Sequence, residues 1–154
     1  VAMKWRIKGA KMRMENCSLI DEFSLISKYF RPLAVSNPAA LGLMDDAALL
    51  VPSSGKQTVI TCDALVGGVH FLNESPPQDV AARALRANLS DLAAMGAVPV
   101  AYTLALIVPT GTDGRWFKDF AAQLYEDQKK YGNFCVRGAK STFFSRLRRA
   151  KKEK

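Results

Sequence analysis

The sequence predicts a mixed α/β layer in which helices cover a sheet. Short runs of strand-forming residues alternate with longer segments of helical periodicity, and turn-forming residues separate them. The order of elements is helix, two strands, long loop, helix, strand, helix, which is typical of helices packed on one sheet. With 154 residues, 49% of them hydrophobic and 23% charged, the chain can build the core of a globular domain.

The first predicted helix runs from Glu22 to about Phe30. Asp21 precedes it, and its carboxylate can accept hydrogen bonds from the free amides of the first turn. Pro32 is expected to end it, because proline lacks the amide hydrogen that a continuing helix needs. Its apolar face is formed at helical spacing by Phe23, Ile26 and Phe30.

Two strands are predicted next, at residues 47–51 and 58–62. The hexapeptide PSSGKQ between them is turn-like, so the two strands should form a hairpin. Residues 63–77 follow as a loop that contains Gly67 and Gly68.

The second helix should start after Ser75, a predicted N-cap with Pro76 at the first helical position and Gln78 completing a capping box. It should end near Met95, with Gly96 in the left-handed position. One side of it is lined by Val80, Ala84, Leu85, Leu89, Leu92 and Ala93.

A strand at 100–108 and a last helix from Asp113 to about Tyr131 complete the predicted domain. Asp113 is the predicted N-cap of that helix. Its apolar residues recur at a spacing of four, which is helical, at Trp116, Phe120 and Leu124.

The net charge of +8 is concentrated at the two ends of the chain. Residues 1–13 carry five basic groups and no acid, and residues 137–154 carry eight basic groups and one acid, whereas the interior is mildly acidic. Basic ends on an acidic body indicate appended tails, so nucleic-acid binding is not favoured as the main function. We predict an N-terminal extension at 1–20, a domain at 21–132 and a divergent basic tail at 133–154.

Cysteine usage and hydropathy narrow the function classes further. Cys17, Cys62 and Cys135 are far apart, no CxxC pair exists and His70 is the only histidine, so a zinc cluster is not supported. A reducing cytoplasm is the simplest compartment. The longest apolar run, at 98–109, is far short of the roughly 18 residues that a spanning helix needs, so no membrane partner is expected.

Three acidic positions could form a metal site. The pair Asp45–Asp46 precedes a predicted strand, Asp63 follows one, and Asp91 lies on a polar helix turn. Carboxylates that converge in space make a hard oxygen site suited to Mg²⁺, which can bridge substrate phosphates. From spacing alone the alternative stays open that these are ordinary turn and solvent-facing positions. A lone His70 in a glycine-containing loop is likewise either a surface residue or a phosphate contact.

Several stretches together resemble the N-terminal domain of the thiamine-monophosphate kinase family. They are residues 21–26, residues 45–50, the loop TCDALVGGVHF at 61–71 and the helix segment NLSDLAAMGA at 88–97. The resemblance implies a PurM-like (AIR-synthetase-like) fold with helices on a mainly antiparallel sheet that pairs with a second copy into a dimer barrel. It implies in-line transfer of the γ-phosphoryl group of ATP to thiamine monophosphate, with Mg²⁺ as cofactor.

The resemblance also implies the site residues. Magnesium ligation is implied for Asp46, Thr61, Cys62, Asp63 and Asp91. Nucleotide contacts are implied for Asp46, Asp63, Asn88 and Asp91. His70 matches the family histidine that contacts thiamine monophosphate, and no residue is implied as a covalent nucleophile. Cys62 stands where the family has a hydroxyl residue, and because a thiol is a poor ligand for Mg²⁺, a contact there is expected from backbone oxygen.

The end of the chain departs from the family pattern. The Gly-Gly-Asp-Thr motif expected after the last helix is absent, and so is the C-terminal domain, so we expect an incomplete fragment that is inactive alone. Two alternatives stay open. One is another enzyme of the PurM superfamily, of the selenophosphate synthetase or hydrogenase maturation type. The other is a non-catalytic dimerising remnant whose basic tail binds nucleic acid.

Overall fold

The computed structural model describes residues 21–35, 37–43, 45, 47–109, 111–137 and 141–144. The described chain begins in a helical segment: α1 spans Glu22–Leu25, a π-helical turn at Ile26–Phe30 continues it, and a 3₁₀ helix at Arg31–Ala34 follows. Pro32 therefore lies inside the helical segment and does not stop it, since the first turn of the 3₁₀ helix needs no amide hydrogen there.

Asp21 caps α1 as predicted. Its side chain accepts a hydrogen bond from the amide of Ser24 at 3.0 Å, and the Ser24 hydroxyl donates to the other carboxylate oxygen. These two hydrogen bonds hold the pKa of Asp21 below its ordinary value, the hydroxyl contributing most. The start of α1 is thus set by a local interaction that can be found in the sequence.

α2 spans Pro77–Ala94, and its start differs from the prediction by one residue. The N-cap is Pro76 without a side-chain cap, so the predicted capping box at Ser75 is wrong. The Ser75 amide instead donates to the carbonyl of Leu72, which closes the preceding turn. At the other end Gly96 has φ +66°, which confirms the left-handed position predicted there.

Two strand segments follow α2: β1 at Ala101–Thr103 and β2 at Leu106–Pro109. The next helix, α3, spans Gly114–Tyr131 and starts as predicted, with Asp113 accepting from the amide of Trp116 at 2.8 Å. Trp116 stacks on Phe120 at 5.0 Å between ring centroids, and Phe120 and Leu124 are buried, so the predicted spacing of four is confirmed. Gly132, with φ +68°, ends α3.

The sheet differs most from the prediction. β3 at Phe134–Arg137 pairs with β1, and β4 at Ser141–Phe144 pairs with β2; both pairs are parallel, so the expected antiparallel sheet is not confirmed. α3 is the crossover between the parallel partners. No strand forms at 47–66, so the predicted hairpin is wrong. Its strand-forming residues find no sheet partner in the described chain. The next paired residues along the chain are Gly67 and Phe71, which form an isolated bridge.

α2 packs against α3, and α3 packs against the N-terminal helical segment. The core between them contains Leu25, Phe30, Leu85, Phe117, Phe120 and Leu124. None of the helices in the described part of the chain is long and apolar enough to cross a membrane.

Polar contacts of two buried residues of α3, Asp127 and Gln128, link this helix to α2 and β1. Arg86 donates two hydrogen bonds to Asp127, at 3.0 and 2.8 Å, and this contact raises the pKa of Arg86. Gln128 donates to the hydroxyl of Tyr102 at 2.9 Å and to a main-chain carbonyl of the N-terminal segment at 3.2 Å. Burial raises the pKa of Tyr102, which therefore stays a neutral phenol. These contacts hold α2 and β1 against α3.

Candidate functional site

The candidate site lies where residues 61–63, at the end of the predicted second strand, meet α2. The hydroxyl of Thr61 donates to Oδ2 of Asp91 at 3.1 Å, and the two residues are 30 positions apart in sequence. Thr61 is half-buried and Asp91 is exposed, so the carboxylate is fixed by the hydroxyl while its remaining lone pairs face solvent. This single contact brings together two of the residues that the sequence predicts as one site.

Asp63 belongs to the same corner of the molecule. It follows Thr61 by two residues, which limits the separation of their Cα atoms to about 7 Å. Asp63 is exposed, as is the free thiol of Cys62 between them. The oxygens of Thr61, Asp63 and Asp91 are hard donors, whereas the Cys62 sulfur is a soft one.

The oxygen donors of Thr61, Asp63 and Asp91 are of the type that Mg²⁺ prefers. Carboxylate, hydroxyl and carbonyl oxygens are what this ion takes from proteins, usually one or two carboxylates with water and substrate phosphates completing the shell. Within the residues that the structure describes, no three histidine, cysteine or acidic side chains stand close enough to hold a metal by themselves. The third predicted aspartate, Asp46, lies outside the described residues.

The backbone that leads to the paired aspartates is unusual. Leu41, Gly42 and Leu43 have φ values of +48°, +64° and +57°, all in the left-handed region. Two of them are leucines, which rarely adopt this conformation, and such strain persists only where the surroundings enforce it. Ala40 and Leu43 are buried in the core, so the strained turn is anchored just before Asp45.

Asn88 lies one helical turn before Asp91, on the same side of α2. Its side-chain amide donates to the carbonyl of Ala84 at 3.0 Å, and the residue is half-buried. The amide oxygen of Asn88 stays available to accept a hydrogen bond. Its role in binding a nucleotide stays a prediction.

His70 lies in a tight loop closed by main-chain hydrogen bonds. The amide of Gly68 donates to the carbonyl of Phe71 at 2.7 Å, and the amide of His70 donates to that of Val66 at 2.9 Å. Gly68 has φ +76°, which an L side chain would strain. At Gly67 an added Cβ would lie 3.0 Å from Oδ1 of Asn73. Glycine is therefore required at Gly68 by its backbone conformation, whereas at Gly67 a side chain would require the exposed Asn73 side chain to shift.

The loop also fixes the proton of His70. Nδ1 of His70 accepts from the amide of Val66 at 3.0 Å, so the neutral ring carries its hydrogen on Nε2. That edge is a donor, and the side chain is exposed. His70 can thus donate a hydrogen bond to an anionic ligand without first being protonated.

A cleft of about 440 Å³ opens beside this loop and the first turns of α2. It is lined by His70 and Phe71 of the loop and by Ser75, Asp79 and Arg83. The sequence does not single out Asp79 and Arg83, although their i, i+4 spacing on the polar side of the helix is a signal that could have found them. The described residues therefore hold two candidate features: an acidic corner at 61–63 and 91, and a cleft at His70.

Comparison with known proteins shows the family to which these residues belong. Residues 44–150 match the family model described as AIR synthase related protein, N-terminal domain. The thiamine-monophosphate kinase of Caulobacter vibrioides is 49% identical over 106 residues, which is 69% of this chain and 30% of the relative. The enzyme of that name from Escherichia coli K12 is 42% identical over 123 residues, 76% of this chain and 38% of the relative.

A solved structure agrees with the sequence relatives. The crystal structure of a thiamine-monophosphate kinase from Stenotrophomonas maltophilia K279a superimposes with a TM-score of 0.66 at 36% identity, covering 79% of this chain and 39% of that one. The chain thus spans about a third of the length of the relatives it matches. The matched residues include both the acidic corner and the loop of His70.

Proposed function

The chain belongs to the family of AIR synthase related proteins, whose N-terminal domain it matches, and from this we propose that it is the magnesium- and nucleotide-binding part of a thiamine-monophosphate kinase. The observation that carries the proposal is the contact between Thr61 and Asp91, at 3.1 Å. It joins two separate stretches of the family match into one oxygen-rich corner. Relatives of 42–49% identity that bear this enzyme name favour it over the other PurM-type activities.

In this proposal Asp63 and Asp91 hold Mg²⁺, with Asp46 as the third carboxylate. Thr61 orients Asp91 by donating to one of its oxygens, which leaves the other oxygen for the ion. Cys62 contributes main-chain oxygen at most, because its thiol is too soft a ligand. When bound, the ion neutralises phosphate charge and bridges phosphate oxygens.

The reaction proposed for the whole enzyme moves the γ-phosphoryl group of ATP to the phosphate of thiamine monophosphate, giving thiamine diphosphate. Such a transfer is catalysed by positioning and electrostatics, without a covalent nucleophile on the protein. The acidic corner and Asn88 would hold the nucleotide side. His70 would donate from Nε2 to the acceptor phosphate, since its Nδ1 is already occupied by Val66.

Calorimetric titration with a non-hydrolysable ATP analogue tests this proposal. The full chain should bind the analogue saturably in the presence of Mg²⁺ and should bind it far more weakly in EDTA, because the carboxylates alone repel the phosphates. Equal binding in EDTA, or no binding with Mg²⁺, would overturn the proposal. Mg²⁺ titrated without nucleotide serves as the control for ion binding alone.

We also propose that two copies pair through residues 47–66 and complete the sheet that the single chain leaves unformed. This stretch exposes strand-forming side chains, with Val51 84% and Ile60 85% exposed. An apolar extended segment with unpaired main-chain groups is a template for strand pairing. Sedimentation equilibrium tests it, and a chain that stays monomeric at micromolar concentrations would contradict it.

A further inference from the structure

The cleft at His70 contains charged groups to which neither the family match nor the site residues above assign a role. Its volume of about 440 Å³ is in the range of small-molecule sites. Besides His70, its wall carries the exposed Asp79 and Arg83, and Phe71, Val69 and Leu72 of the loop also line it. The cleft can therefore offer a ligand a cation, an anion and an aromatic surface.

Both charges on α2 are available to a ligand. Asp79 and Arg83 are four residues apart, so they are neighbours on one side of the helix. The ion pairs found among the described residues are Arg86 with Asp127 and Lys129 with Glu126, and neither includes Asp79 or Arg83. Arg86, three residues further on, is committed to the contact with α3, whereas Arg83 is exposed at the cleft.

This arrangement is complementary to a small ligand that carries a phosphate and a cationic aromatic ring. The planar guanidinium of an arginine matches a phosphate with two parallel hydrogen bonds. A carboxylate and an aromatic face both attract a cationic ring, the latter by cation–π interaction. Thiamine monophosphate has this combination, with its phosphate and its thiazolium ring joined by a short linker.

We propose that Arg83 is a specificity-determining residue of the acceptor site, holding the acceptor phosphate together with His70, and that Asp79 faces the cationic ring. The proposal rests on the proposed function, since it assigns the acceptor of that reaction to this cleft. In this arrangement Arg83 binds the phosphate and Asp79 faces the cationic ring, and the two residues lie one turn apart on α2.

The test is calorimetric titration of the full chain, with Mg²⁺ and the ATP analogue present, by thiamine monophosphate and by thiamine, which lacks the phosphate. Arg83→Gln should weaken binding of thiamine monophosphate about 10- to 100-fold, the size expected for losing charged hydrogen bonds, and leave thiamine binding unchanged. Arg83→Lys should restore part of the affinity. Asp79→Asn should weaken both ligands, because both carry the ring. Arg115→Gln, an exposed arginine at the start of α3, is the matched control and should change neither.

The outcomes separate this inference from the function on which it rests. If Arg83→Gln binds thiamine monophosphate as the unaltered chain does, or loses both ligands equally, the role of Arg83 is overturned while nucleotide binding stands. If the unaltered chain binds the ATP analogue with Mg²⁺ but not thiamine monophosphate, the cleft is not the acceptor site. If it binds neither, the proposed function falls as well.

Discussion

Asp91→Asn should abolish magnesium-dependent binding of the ATP analogue, lowering its affinity at least about 100-fold. Residues that only orient a metal ligand change metal affinity about 10- to 100-fold, and removing the charge of the ligand itself should cost more. The fold should persist, because the asparagine oxygen can still accept the hydrogen bond that Thr61 donates to Asp91. Calorimetry with Mg²⁺ and with EDTA measures the change.

Two further variants make this expectation specific. Thr61→Val removes the hydroxyl that orients Asp91 and should cost about 10- to 100-fold, an intermediate effect. Asp119→Asn removes a carboxylate from α3 that is not among the residues assigned to the ion, and it should leave nucleotide binding unchanged. Should Asp91→Asn titrate like Asp119→Asn, the assignment of a metal to the corner would be wrong.

Arg86→Met should be strongly destabilising, lowering the free energy of unfolding by about 3 kcal/mol. Asp127 is 1% exposed and would keep only the amide of Gln123, at 3.2 Å, as a partner. A buried carboxylate without its cation is strongly unfavourable. The expected loss of stability is at the lower end of the range for breaking a buried ion pair, because the Arg86 side chain is 46% exposed.

Urea denaturation followed by circular dichroism measures this effect, and α3 itself provides the control. Lys129→Met removes the exposed pair with Glu126, whose side chains are 52% and 62% exposed, and should change stability by less than about 1 kcal/mol. The same small change in both variants would mean that the contact of Arg86 with Asp127 does not hold α2 on α3.

The helices could be predicted because the signals that specify them are local. Asp21 and Asp113 cap the helices that follow them, and Gly96 ends α2 in the left-handed conformation. The apolar spacing within α3 is confirmed by the burial of Phe120 and Leu124. The start of α2 is one residue later than predicted, because two consecutive prolines fit the first helical position and the sequence does not rank them. The predictions for the first helix are wrong at Pro32, which does not end the helical segment, and at Phe23, which is exposed.

The strands could not be predicted in the same way, because a strand needs a partner as well as a suitable composition. Residues 47–51 and 58–62 have strand-forming composition, yet the described chain offers them no neighbour and their side chains stay largely exposed. β3 and β4, in contrast, lie in the segment expected to be a divergent tail, and pair in parallel with β1 and β2. Pairing across the length of α3 is a tertiary property that no local pattern contains.

The candidate site was partly visible in sequence. The resemblance singled out Thr61 and Asp91, and the structure brings them into contact, although their roles as ligands stay predictions. The partner of Arg86 was not visible, since Asp127 lies 41 residues away on another helix. The same holds for Arg83, which looks like any solvent-facing residue of α2 until the loop of His70 is placed beside it.

The central claim is that residues 61–63 and 88–91 together bind one divalent ion, which in turn binds the phosphates of a nucleotide. Paramagnetic Mn²⁺ in place of Mg²⁺ tests it directly, because it broadens the NMR signals of nearby nuclei. With the ATP analogue present, small amounts of Mn²⁺ should selectively broaden the amide signals of both stretches, and excess Mg²⁺ should restore them. Broadening confined to other acidic residues such as Glu126, or of only one of the two stretches, would contradict the claim.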